Sequence, residues 1–304
     1  MLRLIPTKEA LDFHKEKVSE IFEKVIKNQY IIRESKQVNI NKTFICFLEK
    51  YKNELISALP SRLLEIQKEY DKKYLSNHEK KIISSFFKET GYQNFQKQNG
   101  KYFLNLLKID TCVYCNRNYT LDLDKSNHAR AELDHWFPKD RFYILALSFY
   151  NLIPSCHSCN HLKGSPKYNW YNALDKMNHP YLQPDDNFRF SYLLNSFNSF
   201  EIITKTKENS KTRETLNFNK TEEIYNMHAD KEFNDLINLR YKYSKNYLDV
   251  LLNKTFENLN MSNEEAYRMI FGIEIKEQDF HKRSFSKFKY DIIQELLNKR
   301  TSKT

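Results

Sequence analysis

Four of the five cysteines have the spacing of a metal site. They form two CxxC pairs, Cys112/Cys115 and Cys156/Cys159. In a reducing cytosol, paired CxxC motifs favour metal binding over disulfides, and four thiolates are the closed tetrahedral set that structural zinc prefers. The sequence therefore predicts one structural zinc ion, with an iron–sulfur centre or redox chemistry as the alternatives. The fifth cysteine, Cys46, lies among apolar residues and is predicted to be a small buried side chain.

Side chains that could perform hydrolysis accompany these cysteines. Asp134 and His135 are adjacent, Asn151 follows, and Asn160 comes directly after the last paired cysteine. A carboxylate and an amide oxygen are hard ligands, suited to Mg²⁺ or Mn²⁺ with positions left for water and phosphate. A neutral imidazole accepts a proton near pH 7, so His135 could activate water as a general base. The pattern indicates an open catalytic metal site beside the closed zinc site.

The second cysteine pair is predicted to open a helix. In SCHSCNHLKG, Ser155 follows a proline and is the candidate N-cap. Cys156, Cys159, Asn160 and Lys163 would then lie on one face of that helix, so the zinc would orient Asn160. The two histidines of this segment are four residues apart and are interpreted as a surface pair rather than as a metal site.

Asp134 and His135 require a special backbone arrangement if they are to act together. Adjacent residues on a strand point to opposite faces, so the two side chains can share a cleft only where the strand bends or ends. Pro138, just downstream, would end the strand there.

The segment before the cysteine-rich region is predicted to be mainly helical. Between residues 11 and 107, apolar residues recur close to the 3.6-residue period of amphipathic helices. Ser61 and Ser76 are candidate N-caps, and Gly91 is a candidate helix end. This region is predicted to be a helical platform or a surface for partner docking.

The C-terminal third is predicted to combine a β-hairpin with helices. Apolar and aromatic segments flank a polar turn at Asn195–Asn198, which favours a hairpin. A long amphipathic helix is predicted over 221–256, and a final helix begins in the basic stretch 281–289. The roles of this stretch and of His179 and His228 stay open. The predicted division is a helical region at 1–108, a cysteine-rich module at 109–184, and a hairpin with helices at 185–304.

Composition limits the class of protein but does not choose its function. The chain has 304 residues, 40% of them hydrophobic, which is enough for a packed core. Its formal net charge of +10 favours a polyanionic partner, although an AT-rich coding sequence would also enrich Lys and Asn. The sequence contains no apolar run long enough for a membrane helix, and its start becomes charged too soon for a signal peptide. A cytoplasmic protein without membrane contact is therefore expected.

Four sequence elements together resemble a known enzyme family. CVYC, ELDHWFP, YNLIPSCHSCN and the following HLKG are similar to the zinc-stapled branch of the HNH, or ββα-metal, endonucleases. The resemblance covers about 55 residues, from Cys112 to roughly Lys167, and the ordered combination is more specific than any single element. It implies a mainly α protein with a small ββα-metal and treble-clef zinc module in its centre.

The resemblance also implies a role for each candidate residue. His135 would be the general base, and Asn151 would orient His135 or its loop. Asp134 and Asn160 would hold the catalytic ion. Many relatives have histidine at the position of Asn160, so the neighbouring His161 is an alternative ligand.

The implied reaction is hydrolysis of DNA, with double-stranded DNA as the expected substrate. His135 would take a proton from water, which attacks phosphorus, while Mg²⁺ or Mn²⁺ stabilises the developing charge. Lys139, Arg141 and Lys163 are candidates for contacts with backbone phosphates. DNA-versus-RNA preference and sequence specificity stay open.

The wider layout resembles a narrower group. ALSFYNLIPSCHSCNHLKG and the helical flanks are similar to the HNH partner of two-component anti-phage systems, which pair a nuclease with an ABC- or SMC-like ATPase, as in Septu and some retron systems. The alternatives are a restriction or mobile-element nuclease that acts alone and a non-catalytic zinc-stabilised adapter that binds nucleic acid. A structural zinc site would need none of Asp134, His135, Asn151 and Asn160, which argues against the adapter.

Overall fold

The predicted mainly α fold is confirmed. A computed structural model describes residues 1–33, 36–73, 75–121, 132–164, 168–196, 199–242, 250 and 262–298. Within these residues the chain is mostly helical and carries three two-stranded antiparallel sheets. In the same part of the chain, no helix is both long enough and apolar enough to cross a membrane.

The chain divides into two compact units. The helical unit comprises Leu4–Ile109 and Thr120–Leu174, and the C-terminal unit comprises Met1–Arg3, Asp110–Tyr119 and Asp175–Thr304. The three-segment division read from the sequence remains a prediction.

The helical unit begins with helices packed around a small hairpin. Its elements are α1 (Lys8–Asn28), β1 (Tyr30–Arg33), β2 (Lys36–Asn39), α2 (Lys42–Ser57), α3 (Pro60–Asp71), α4 (Asn77–Ser85), a π-helical segment (Phe86–Gln93) and α5 (Asn94–Leu107). Helix α1 shows why the sequence pattern works: its buried face repeats every three or four residues through Ala10, His14, Val18, Phe22 and Val25. Burial of this stripe against the other helices stabilises α1.

Two of the helix boundaries predicted here are wrong, and one is confirmed. Ser76 does cap α4, with Glu79 completing a capping box. Ser61 does not cap α3, because Pro60 occupies the first helical position and Leu59 precedes it as the N-cap. Gly91 does not end its helix, which continues through the π-helical segment into α5.

The centre of the chain forms a hairpin followed by a helix. Strand β3 (Glu132–His135) pairs antiparallel with β4 (Leu152–Ser155), and α6 (His157–Lys163) follows directly. Short 3-10 turns at Tyr143–Leu145 and Phe149–Asn151 occupy the connection between the strands. The N-cap of α6 is Cys156, so the prediction of Ser155 at this position is wrong by one residue. The order strand, strand, helix is the ββα arrangement expected for the central module.

Two short helical segments follow α6 along the chain. A 3-10 turn at Trp170–Asn172 leads into α7 (Ala173–Lys176).

The C-terminal unit combines a hairpin with helices around an aromatic core. Its further elements are β5 (Arg189–Ser196), β6 (Ser199–Lys205), α8 (Lys211–Phe218), α9 (Thr221–Asn226), a π-helical segment (Ala229–Phe233), α10 (Asn234–Lys242), α11 (Asn263–Phe271), a 3-10 helix (Glu277–Lys282) and α12 (Ser286–Asn298). Phe190, Tyr225, Phe233 and Phe288 lie in the buried core.

The predicted hairpin is confirmed, whereas the predicted long helix over 221–256 is wrong in its described part; residues 243–249 and 251–256 lie outside the described residues. Strands β5 and β6 pair antiparallel, and residues 197–198 of the expected turn lie outside the described residues. The helix that starts at Thr221 is interrupted after Asn226. There the side chain of Tyr225 donates a hydrogen bond to Cys115 O at 2.6 Å, and His228 Nε2 lies 2.7 Å from Arg117 Nη1. These tertiary contacts override the helical period.

Candidate functional site

Local hydrogen bonds fix the backbone of the first cysteine turn, Cys112–Cys115. Asn116 adopts the left-handed conformation, with φ of 50°, and its N–H donates to Cys112 O at 2.7 Å. The Arg117 N–H donates to Cys115 Sγ at 3.4 Å. The Asn116 side chain donates to Thr111 Oγ1 at 2.9 Å, which fixes the turn from the side.

The second cysteine turn is the start of α6. Cys156 is the N-cap, Cys159 lies in the first turn, and the N–H of Asn160 donates to Cys156 O at 3.0 Å. The helical backbone therefore determines the separation of the two sulfurs.

The four cysteines come together as a buried cluster. Their sulfurs all lie within 4.8 Å of one another. Four sulfurs bound to one tetrahedral zinc ion at about 2.3 Å would lie about 3.8 Å apart, so the cluster fits this ion with a small contraction. The four paired cysteines therefore do come together, and their cluster could hold a metal ion such as zinc.

His135 lies at the end of β3 and is 6% exposed. Its Nε2 lies 3.1 Å from Ala146 O, and its ring centroid lies 4.3 Å from that of Tyr92 in an edge-to-face arrangement. Burial, reinforced by the charge of Lys139, lowers the pKa of His135 to about 3. The imidazole is therefore neutral at pH 7. Because a carbonyl can only accept, Nε2 carries the proton and Nδ1 carries the free lone pair.

Asp134 contacts a lysine of α6 that is almost fully enclosed. Lys163 Nζ lies 2.5 Å from Asp134 Oδ2 and 2.7 Å from His135 O. The side chains of this pair are 5% and 8% exposed, and burial lowers the pKa of Lys163. The Lys163 ammonium also lies 5.2 Å from the centroid of the Trp170 ring. The environment of Asp134 therefore already holds a positive charge.

Asn160 contacts a carboxylate that the sequence interpretation did not include. Its Nδ2 donates to Glu132 Oε2 at 2.6 Å, while Glu132 Oε1 lies 2.7 Å from His157 Nδ1. This hydrogen bond raises the pKa of His157, whose ring stacks on that of His161 with centroids 6.0 Å apart. Glu132 stands two positions before Asp134, so both carboxylates lie on one face of β3. That alternation was the signal that could have identified Glu132.

Asn151 organises the loop between the two strands. Its Oδ1 accepts from the N–H of Phe137 at 2.6 Å, and its Nδ2 donates to Phe137 O and Leu145 O at 3.2 and 2.9 Å. Leu145 directly precedes Ala146, whose carbonyl meets His135. A fully buried amide therefore fixes the loop that supports the imidazole.

The candidate phosphate contacts are placed differently from one another. Lys139 Nζ lies 4.9 Å from the centroid of Tyr92, and burial lowers its pKa. The guanidinium of Arg141 lies 4.9 Å from the centroid of Tyr171. Lys163 is the buried partner of Asp134. Any role of the three in binding DNA stays a prediction.

The other residues left open by the sequence have local partners. The Nδ1 of His179 accepts from the N–H of Tyr181 at 3.2 Å. In the basic stretch 281–289, Lys282 pairs with Asp279 and Lys289 pairs with Glu232, both at 2.7 Å. These contacts are those of structural side chains.

The central module thus brings its candidate residues to two faces of one strand. Glu132 and Asp134 face α6, where Asn160 and Lys163 meet them. The His135 ring is held by Tyr92 and the inter-strand loop. Strand alternation thus separates Asp134 from the His135 ring along β3. His135 is the last residue of the strand, however, which is the position at which the two side chains could approach one cleft.

Comparison with known proteins gives one partial similarity. The chain is 33% identical to the Septu protein PtuB of Bacillus thuringiensis over 95 residues, which cover 30% of this chain and 33% of that protein. The match thus spans about a third of the length of PtuB. No family model and no solved structure matches the chain.

Proposed function

We propose that this protein is a metal-dependent endonuclease of the HNH type that hydrolyses DNA. The observation that carries the proposal is the β3–β4–α6 module, which carries Asp134 and His135 on β3 and Asn160 on α6, directly after Cys159 of the four-cysteine cluster. A structural zinc site alone would require none of these three side chains. Together they provide a base and hard oxygen ligands.

His135 would act as the general base through Nδ1. Its Nε2–H is engaged by Ala146 O, so the ring is held in the tautomer whose Nδ1 accepts a proton. Burial keeps the imidazole unprotonated at neutral pH, so that Nδ1 is able to accept a proton. Nδ1 would take the proton from the water that attacks the phosphate.

Asp134 and Asn160 would hold the catalytic ion, and the donor chemistry fits Mg²⁺ or Mn²⁺. A carboxylate and an amide are oxygen donors, which these ions prefer. The ion would share the Asp134 carboxylate with the Lys163 ammonium. When bound, such an ion polarises the phosphate and stabilises charge on the leaving oxygen. Glu132 would hold the Asn160 amide nitrogen, leaving its Oδ1 for the ion.

The setting we propose is anti-phage defence together with an ABC- or SMC-like ATPase. Support comes from the partial similarity to the Septu protein PtuB and from the sequence resemblance to nucleases of such two-component systems. Double-stranded DNA is the proposed substrate, which the net charge of +10 favours. The cytoplasm is the proposed location.

Plasmid cleavage tests the proposal. The purified chain is incubated with supercoiled DNA and Mg²⁺, Mn²⁺ or EDTA, with and without the products of the neighbouring genes, among which the proposed ATPase is sought. Cleavage that requires the divalent ion and disappears in His135→Ala is expected. The control is His78→Ala, which removes an exposed histidine on α4.

Each remaining outcome has a definite meaning. Cleavage by the purified chain alone would support the nuclease but remove the need for a partner. No cleavage under any condition, by a zinc-replete protein with its ATPase present, would favour the non-catalytic adapter. Undiminished cleavage by His135→Ala would contradict the mechanism.

A further inference from the structure

We infer that Tyr92, which lies outside the cysteine-rich module in sequence, is a positioning residue for His135. This inference rests on the proposed function, because it assigns the imidazole a task that depends on its orientation. Tyr92 lies 20 residues before the first paired cysteine, in the π-helical segment of the N-terminal helices. The resemblance described above therefore does not include it.

Tyr92 contacts both the His135 ring and the strand that carries it. The two ring planes meet at 69° with centroids 4.3 Å apart, an edge-to-face contact slightly shorter than the usual range of about 4.5 to 7 Å. The Tyr92 hydroxyl donates to Leu133 O at 2.9 Å. Burial raises the pKa of Tyr92, so the hydroxyl remains a donor. One side chain therefore fixes the position of its ring relative to β3.

The two contacts of the imidazole act in different ways. Ala146 O determines the direction of Nε2 by a directional hydrogen bond. The ring of Tyr92 packs against the imidazole and restricts its rotation about the side-chain bonds. One hydrogen bond alone would not prevent that rotation. Together they define where Nδ1 points.

The π-helical segment explains how Tyr92 reaches this place. A Cβ added at Gly91 would lie 2.7 Å from Leu147 Cδ1 and 3.0 Å from Phe86 O. Glycine therefore allows the helix to pack directly on the loop that contains Ala146. An insertion of π-helical turns within an α-helix changes the direction of the following side chains and is often found at functional sites. Here it directs Tyr92 toward His135.

Lys139 adds a charge to the same group. Its ammonium lies 4.9 Å from the centroid of the Tyr92 ring. A cation at this distance is attracted to the ring, which holds Lys139 beside the same tyrosine that contacts His135. Tyr92 thus contacts both His135 and Lys139. Packing in an apolar core would not require the contact with a lysine.

The test compares substitutions that separate the ring from the hydroxyl. Tyr92→Leu removes both, and Tyr92→Phe keeps the ring. In Tyr92→Leu we expect kcat for DNA cleavage to fall about tenfold or more, since a small displacement of a catalytic group is costly. KM should change by less than about twofold, because no DNA contact is removed. Tyr92→Phe should retain kcat within about threefold.

Two controls distinguish positioning from general damage. Tyr102→Leu makes the same change at an exposed tyrosine on α5 and should leave kcat and KM unchanged. Zinc content and thermal unfolding are measured for every variant. If Tyr92→Leu does not fold, Tyr92→Met replaces it, since methionine fills a similar space without a ring.

A spectroscopic measurement tests the contact without cleavage. In protein labelled with ¹³C-histidine, the His135 imidazole signals are assigned by their loss in His135→Gln. Tyr92→Leu should move these signals because the ring current disappears, and Tyr92→Phe should leave them nearly in place. Unmoved signals in Tyr92→Leu would overturn the inference.

The kinetic outcomes separate this inference from the proposed function. If the wild type cleaves DNA and Tyr92→Leu keeps its kcat, Tyr92 has no positioning role and the nuclease proposal stands. A rise in KM alone would make Tyr92 a DNA contact and would equally overturn the inference. If the wild type does not cleave, the proposed function fails first, and Tyr92 then has no catalytic group to position.

Discussion

The helical unit contains two buried histidines, His14 and His135, whose surroundings differ. Both side chains are nearly inaccessible to solvent, and burial lowers the pKa of each to about 3. His14 lies among the rings of Phe95, Phe103 and Phe149, with centroids 5.3 to 5.4 Å away. His135 lies instead between Tyr92 and a backbone carbonyl.

The neighbouring charges make the larger difference. His135 follows Asp134 in the strand, its carbonyl accepts from Lys163, and the charge of Lys139 acts on its ring. His14 is packed by apolar rings. A buried histidine with a low pKa is therefore not by itself a functional signal, and the polar groups around it carry the information.

The largest effect is expected from a change in the four-cysteine cluster, whose metal content should not depend on either histidine. Cys156→Ser removes one thiolate, so the variant should lose its zinc and its soluble expression, since structural zinc contributes on the order of 10 kcal/mol to folding. His14→Gln and His135→Ala should each keep the wild-type zinc content. Zinc is measured by mass spectrometry on purified protein.

Cys46→Ser is the matched control for that experiment. Cys46 lies exposed on α2, contrary to the burial predicted from its apolar neighbours, and takes no part in the cluster. It should therefore behave as the wild type does. A zinc-free Cys156→Ser that folds with unchanged thermal stability would show that the cluster does not stabilise the fold.

A smaller effect is expected from the charged pair beside His135. Asp134→Asn leaves the buried Lys163 ammonium without this counter-charge, which should reduce the free energy of unfolding by about 3 to 5 kcal/mol. The double variant Asp134→Asn/Lys163→Met should recover much of the loss, because the buried charge is gone. Urea unfolding measures both.

Asp140→Asn provides the comparison for this pair. Asp140 lies 2.6 Å from Lys88, but its side chain is 84% exposed, so the change should cost less than about 1 kcal/mol. Equal losses in Asp134→Asn and Asp140→Asn would mean that the environment of Asp134 is not the low-dielectric one described.

The smallest effect is the pH dependence of stability that both histidines contribute. Each is neutral when folded and binds a proton when unfolded below pH 6.5, so stability is fully present above that pH and falls as the pH is lowered toward 3. One such histidine should contribute a loss of about 1.4 kcal/mol per pH unit, or about 2 kcal/mol at pH 5. His14→Gln should reduce the slope of the free energy of unfolding against pH by about 1.4 kcal/mol per pH unit in this range. An unchanged slope would show that His14 is protonated in the folded protein.

The sequence predicted the local features that depend on neighbouring residues. The apolar period of α1 and the capping box at Ser76 need only residues within a few positions, and both are correct. The two CxxC pairs are equally local motifs and predicted the four-cysteine cluster. The ββα order followed from the family resemblance.

Features decided by tertiary contacts were predicted wrongly or missed. Gly91 was predicted to end a helix, but its small size instead allows the helix to pack closely against Leu147. The predicted helix over 221–256 is interrupted near His228, where bonds to the first cysteine turn dominate. Tyr92 was missed because its partner is 43 residues away along the chain.

The most direct test of the account compares the two histidines in one assay. DNA cleavage under single-turnover conditions is measured for wild type, His135→Ala and His14→Gln, all zinc-replete, at neutral pH with Mn²⁺ and the ATPase. The account predicts that His135→Ala loses roughly 10² to 10⁴-fold in rate, as expected for a general base, while His14→Gln cleaves at close to the wild-type rate. Equal rates for the two variants, whether both are high or both are low, would contradict it.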